Sequence, residues 1–209
     1  MKILHFWGIL VVVSIIGLFP SVFAFLIFYI LWLIWFFFEM IFSWTTPFIR
    51  NKGKIVFEDG WSTVLIIAGS MCGFVLVVYL SVSGIYLLAP WFTYLGLLLF
   101  ASGMLFRFWA ILVLGRYFSP IVGVYKNHAI ITKGPYRFVR HPSYTGALVM
   151  LFGYAVILRS WIGAVTMLAV MLPIYLYRIR VEERALNRRF PGTYSIYTKG
   201  KKRILPWII

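Results

Sequence analysis

Two stretches of the 209-residue chain hold most of the side chains that could do chemistry. The first, residues 128–146, reads H-A-I-I-T-K-G-P-Y-R-F-V-R-H-P-S-Y-T-G. Gly134-Pro135 is a turn signal. His141-Pro142 reads as the residue before a helix, followed by proline at the first helical position, where its missing N–H is harmless. Arg140, His141 and Tyr144 then stand at the mouth of that helix. Its free N–H groups and partial positive charge suit a carboxylate. Arg, His and Tyr are also ordinary interfacial residues, and pattern alone leaves both readings open.

The second stretch, residues 177–194, reads Y-R-I-R-V-E-E-R-A-L-N-R-R-F-P-G-T-Y. Arg178 and Glu182 are four apart, on one helical face; Arg180 and Arg184 share another. An arbitrary Arg/Glu pair of this kind is an exposed, salt-bridged helix end. Scarcity raises its interest here. Glu182 and Glu183 are the only carboxylate side chains after Asp59, and they sit in a dense set of Arg.

Other chemistries find no support. His5, His128 and His141 are scattered, without HExxH or a similar metal-ligand spacing, so no metal site is expected. Cys72 stands alone in an apolar run, which leaves no disulfide framework or thiolate site. There is no P-loop, GxSxG or GxGxxG. Glycine is frequent mainly inside apolar runs, where small residues serve helix packing.

The elements that must hold these stretches follow from composition. The chain is 63% hydrophobic, 20% aromatic and 12% charged. A soluble domain runs nearer half apolar and a quarter charged, and a chain this short must still cover itself with polar surface. A soluble enzyme and a disordered tail are both excluded. The expected fold is all-α: a polytopic transmembrane helical bundle. About 20 apolar residues cross the hydrocarbon, which places spans near 3–19, 22–42, 61–80, 91–114, 142–158 and 161–177. Pro20-Ser21 divides the first long run into a hairpin; a single crossing there would leave five spans. Met1-Lys2, the apolar stretch and Val22-Phe23-Ala24 also resemble a cleavable signal, but the apolar run continues well past Ala24. Residues 1–114 would hold spans 1–4. Residues 115–209 would hold a loop, the hairpin of spans 5 and 6, and a tail.

The formal charge of +15 tests this map. With six spans, every Lys and Arg except Arg107 and Arg159 falls on one side. That side should be cytoplasmic, with both termini. This accounts for the basic excess without nucleic acid. Glu39 and Arg107 are the charges inside spans. Such charges suggest function by default, but both lie toward the cytoplasmic helix ends, where a structural ion pair is expected.

The spacing H-x-x-[IV]-x-x-G-x-Y-x-x-x-R-H-P-x-Y-x-G, a helical hairpin, and then R-x-x-x-E-E-x-x-L-x-x-x-F-x-x-x-Y resembles the isoprenylcysteine carboxyl methyltransferase family. Its members are integral membrane enzymes that use S-adenosyl-L-methionine. The likeness runs from His128 to Trp207. It implies that His128, Ala129, Ile130, Ile131, Tyr136, His141, Pro142, Ser143 and Tyr144 line a cytoplasmic cofactor pocket, with Glu182 also holding the cofactor. It implies that Arg178 faces the acceptor carboxylate, and that Arg178 and Glu182 carry catalysis. Phe190-Pro191-Gly192 departs from the family's Phe-Gly and alters a turn. The residues from Tyr194 to Trp207 would form a partial lid.

The reaction implied is O-methylation of the carboxylate of an isoprenylcysteine-like lipophilic or prenylated acceptor. Membrane lipids are the other expected contact; no metal and no nucleic acid are expected. The membrane would be the plasma membrane of a prokaryote or the endoplasmic reticulum of a eukaryote. Related C-terminal segments occur in phospholipid methyltransferases and in NADPH-dependent sterol reductases, so N-methylation and reduction are alternatives, with a non-catalytic membrane protein that keeps only the fold as a third. The reductases tend to carry an Arg-Asp pair and a later Cys-containing helix. This chain has Glu182-Glu183 and no Cys beyond residue 72.

Overall fold

In hydrocarbon every backbone N–H and C=O must pair within its own segment, so the long apolar runs of this chain become helices. The computed structural model describes residues 22–50, 56–59, 61–84, 87–118, 122–124 and 129–204. The first expected span, the Pro20-Ser21 hairpin, the signal-like segment, His5, His128 and Trp207 lie outside the described residues. The elements are α1 (Val22–Arg50), β1 (Val56–Asp59), α2 (Trp61–Val82), α3 (Phe92–Leu114), β2 (Val122–Val124), α4 (Pro142–Ile157), α5 (Trp161–Arg189) and α6 (Thr193–Thr198). Single 3₁₀ turns occupy Gly115–Tyr117 and Gly134–Arg137.

Segments within α1, α2 and α5, and α3 extended through the turn to Tyr117, are long and apolar enough to cross a membrane. The protein is an integral membrane protein, and its helical architecture agrees with the sequence reading. One feature adds to it. β1 and β2 form a short antiparallel ribbon, with Val56 opposite Val124 and Phe57 opposite Gly123. Strands of three or four residues are too short to announce themselves by periodicity.

α4 has 16 residues, a rise of about 24 Å against about 30 Å of hydrocarbon. It is nonetheless the most enclosed helix, because it lies against α3 with the backbones in contact. A Cβ on Gly96 would come within 2.4 Å of the Ile157 nitrogen, and one on Gly103 within 2.6 Å of the Met150 nitrogen. From the other side, a Cβ on Gly146 would meet the Arg107 nitrogen at 2.7 Å, and one on Gly153 the Phe100 nitrogen at 2.5 Å. Each pair of glycines is seven residues apart, two turns, so one face of each helix is bare. This is small-residue packing between membrane helices.

At the far end the chain reverses through Arg159, whose φ is +63°. The Arg159 Nε donates to the Leu88 carbonyl at 2.7 Å. Ser160 caps α5 by accepting from the Gly163 N–H at 3.0 Å.

α5 has 29 residues, about 43 Å of rise. That exceeds the hydrocarbon thickness, and its charges begin at Arg178. The membrane-spanning part ends near Tyr177, and the last turns project beyond it as one continuous helix.

Candidate functional site

The site is built where three segments meet: the loop and first turn of α4, the emergent turns of α5, and the tail after α6. The loop enters through Gly134, at φ +57°, with Pro135 opening the 3₁₀ turn. His141 precedes α4 and Pro142 is its first residue, as expected from the dipeptide.

Tyr144 and Glu182 meet directly. The Tyr144 hydroxyl donates to Glu182 Oε2 at 3.0 Å and accepts from Arg178 Nε at 3.3 Å. Tyr144 therefore bridges the two α5 residues expected to act together. Arg178 is 2% exposed. Its NH1 donates to Ser62 Oγ and Thr63 Oγ1, each at 2.8 Å. Burying a guanidinium is tolerable only when its N–H groups are satisfied, and these two hydroxyls on the first turn of α2 do that. Neither was singled out from sequence. A Ser-Thr pair at a helix start reads as a cap, and no local signal links it to a residue 116 positions away.

His141 is stacked on Tyr144, with ring centroids 5.8 Å apart. Its Nδ1 lies 3.6 Å from Glu182 Oε2 and its Nε2 lies 3.6 Å from Glu183 Oε1. Nε2 is buried and has no hydrogen-bond partner among the described residues.

Glu183 anchors the tail. Arg140 NH1 donates to Glu183 Oε1 at 3.0 Å, and Arg203 NH2 reaches Oε2 at 2.8 Å. Burial works against the Glu183 carboxylate, but His141, Arg203 and Arg140 outweigh it and lower its pKa to about 2. Arg140 also donates to the carbonyls of Lys201 and Thr198. The Arg140 and His141 N–H groups donate to the Lys202 and Arg203 carbonyls, both at 2.9 Å. Thr145 Oγ1 donates to the Ile204 carbonyl at 2.7 Å. The tail is thus laced to the loop and to the start of α4. It reaches this position through Gly192, at φ +83°, the glycine of the altered Phe-Pro-Gly turn.

Tyr136 is buried under the tail. Its hydroxyl donates to the Ala110 carbonyl at 3.3 Å. Its own carbonyl accepts from Tyr197 Oη at 3.1 Å and Lys201 Nζ at 3.2 Å. Burial, reinforced by the Glu182 carboxylate, raises the Tyr136 pKa.

Ser143 points elsewhere. Arg107 NH1 donates to the Ser143 carbonyl at 3.2 Å and to its Oγ at 2.9 Å, and Arg107 Nε donates to Glu39 Oε1 at 2.5 Å. The expected ion pair between the two in-span charges exists, and it props the first turn of α4. Ala129, Ile130 and Ile131 lie in the coil before Gly134, exposed to half-buried, and are not drawn into the hydrogen-bonded cluster. Among the described residues no group of His, Cys, Asp and Glu could hold a metal ion.

Comparison with known proteins gives a consistent result. A sequence model of the isoprenylcysteine carboxyl methyltransferase (ICMT) family matches residues 94–188. The chain is 32% identical over 120 residues to protein-S-isoprenylcysteine O-methyltransferase A of Arabidopsis thaliana, covering 56% of this chain and 61% of that protein. It is 31% identical to the Homo sapiens protein-S-isoprenylcysteine O-methyltransferase, covering 56% of this chain and 42% of that one. The matched stretch therefore spans less than two-thirds of these relatives. A solved structure of the eukaryotic intramembrane Ras methyltransferase ICMT, without a monobody, superposes with a TM-score of 0.52 at 26% identity, over 69% of this chain and 52% of that one. Over residues 94–188, with α3, α4 and the bulk of α5, the chain is similar to the isoprenylcysteine carboxyl methyltransferase family.

Proposed function

We propose that the protein is a membrane-embedded, S-adenosyl-L-methionine-dependent methyltransferase acting on the carboxylate of an isoprenylcysteine-like lipophilic acceptor. The observation that carries this reading is the Tyr144 hydroxyl lying between Arg178 and Glu182. It joins a guanidinium suited to an anionic acceptor with a carboxylate suited to a cationic cofactor. The names of the relatives support the same acceptor class.

The residues fit that cofactor. Glu182 is one-third exposed, and its Oε1 takes no hydrogen bond among the described residues. The His141 ring, stacked on Tyr144 with its Nδ1 3.6 Å from Glu182 Oε2, borders the same carboxylate. Together they suit a ligand with amine and hydroxyl groups and a positive charge. Glu182, His141, Tyr144 and Tyr136 would hold it, and when bound it supplies a methyl group on a positively charged sulfur. Arg178 holds and orients the acceptor carboxylate, for which its planar fork is matched. That carboxylate is already ionised at neutral pH, so no residue need act as a general base. The surrounding burial keeps water away, and opposite charges attract more strongly in such a site. Placing the acceptor oxygen in line is a positioning task, and Ser62 and Thr63 perform part of it by fixing Arg178.

The 129–141 loop and the emergent end of α5 lie on the cytoplasmic side in this reading, since nearly all Lys and Arg fall there. The cofactor enters from that side, beneath the tail, and the lipophilic acceptor enters between spans.

Calorimetry on detergent-solubilised protein tests the reading. Binding of S-adenosylhomocysteine without binding of NADPH is expected; NADPH binding alone would transfer the site to a reductase. Glu182→Ala should lose cofactor affinity. Arg178→Ala should keep it and lose methyl transfer to a carboxylate acceptor. Abolished cofactor binding in Arg178→Ala, with normal turnover at saturation, would refute this division of roles.

A further inference from the structure

α5 leaves the apolar region with two differently charged faces. Arg178 and Glu182 lie toward Tyr144. Arg180 and Arg184, one turn apart, lie on the other side of the helix, about 200° and about 240° round from Arg178 at 3.6 residues per turn. There they line a cleft of about 390 Å³ together with Arg140, Arg203, Asn187 and Glu183. Tail residues Tyr194 and Thr198 also line it.

The cleft holds four guanidiniums and one carboxylate. That carboxylate, Glu183, is taken by Arg140 and Arg203. Arg180 and Arg184 are exposed and form no ion pair with a carboxylate among the described residues. Electrostatically the cleft calls for an anion. Paired arginine forks match the oxygens of a phosphate.

Depth along the helix identifies the source. Charges begin at Arg178, so the hydrocarbon ends near Tyr177. Arg180 and Arg184 stand about 5 Å and about 10 Å further along the axis. A bilayer of about 40–45 Å with a core of about 30 Å leaves about 5–8 Å of headgroup layer on each side. Arg180 lies within that layer, and Arg184 stands just beyond it, from where a long side chain can reach back to a headgroup phosphate. Basic residues at this depth attract anionic lipids.

We propose that the cleft lined by Arg180 and Arg184 binds the phosphodiester of an anionic membrane lipid, separately from the cluster around Tyr144 and Glu182. This does not depend on which reaction that cluster performs.

Native mass spectrometry of the full chain in a non-ionic detergent tests it. The probes are dioleoylphosphatidylglycerol and dioleoylphosphatidylcholine, with inorganic phosphate as competitor. The phosphatidylglycerol should be retained at least tenfold better than the phosphatidylcholine. The double variant Arg180→Gln/Arg184→Gln should bring the two to the same level, with its lipid-free thermal midpoint unchanged. Millimolar inorganic phosphate should leave the bound phosphatidylglycerol in place. Equal retention of both lipids by the wild type overturns the proposal, as does undiminished phosphatidylglycerol retention in the double variant. Displacement by inorganic phosphate would make the ligand a soluble phosphate and overturn the lipid assignment. Loss of S-adenosylhomocysteine binding in the double variant, with lipid retention intact, would give the cleft to the cofactor instead.

Discussion

The Tyr144 hydroxyl donates to Glu182 across 38 residues of sequence, at 3.0 Å. The first turn of α4 is thereby fastened to the emergent part of α5. Tyr144→Phe keeps the ring stacked on His141 and removes this fastening together with the acceptor of Arg178 Nε. A buried hydrogen bond to a charged group contributes about 1.5–3 kcal/mol, so turnover should fall on the order of 10- to 100-fold. A methyl-transfer assay at saturating cofactor checks this; unchanged turnover would mean the hydroxyl is idle.

Ser62 and Thr63 should matter out of proportion to their size. In the double variant Ser62→Ala/Thr63→Val, the NH1 of a guanidinium that is 2% exposed loses both of these acceptors. A hydrogen bond to a charged group contributes about 1.5–3 kcal/mol. The KM for the acceptor should rise while S-adenosylhomocysteine affinity stays near wild type. Steady-state kinetics paired with calorimetry separates the two.

Glu183 should make the tail acid-sensitive. Its pKa is lowered to about 2 from an ordinary 4.5. Its stabilising contribution is therefore full above pH 4.5 and is lost as pH falls from 4.5 toward 2. Limited proteolysis of residues 199–204 should accelerate across that window in the wild type. In Glu183→Gln it should be faster at pH 7 and less dependent on pH. Parallel pH curves for the two proteins would sink the idea that this carboxylate holds the tail.

The α3–α4 contact should tolerate no side chain. Gly103→Leu would drive carbon into the Met150 backbone, where even a Cβ comes within 2.6 Å. Overpacking of this kind costs about 1–3 kcal/mol or more. The thermal midpoint in detergent should drop, and the Arg107 contact to Ser143 should loosen with it. Gly84→Ala is the control. At φ +68° it is strained but meets nothing within 4 Å, so its loss should be local and smaller.

Much of this was legible in the residues, and the reason is physical. Apolar runs of spanning length have one solution in hydrocarbon, so the helices near 22–42, 61–80, 91–114 and 161–177 follow directly. His141-Pro142 announced the start of α4 because proline suits only that end of a helix. Arg178 and Glu182 were visible as a pair because their spacing is a helical turn. What sequence could not show is what long-range packing decides. Ser62 and Thr63 as the seat of Arg178 depend on α2 lying against α5. Ser143 turning to Arg107, away from Glu182, depends on the glycine contact that brings α3 so close. The β1–β2 ribbon depends on two loops meeting across the bundle.

The continuity of α5 has one more consequence. Arg178 and Glu182 stand about 6 Å apart along a single rigid rod, with no hinge between them. If one grips the acceptor and the other the cofactor, their separation is a fixed gauge that no closing motion can adjust. Selectivity must then lie in the reach of the acceptor itself. A carboxylate on a stalk of the wrong length would be held out of register however well its lipid tail were accommodated.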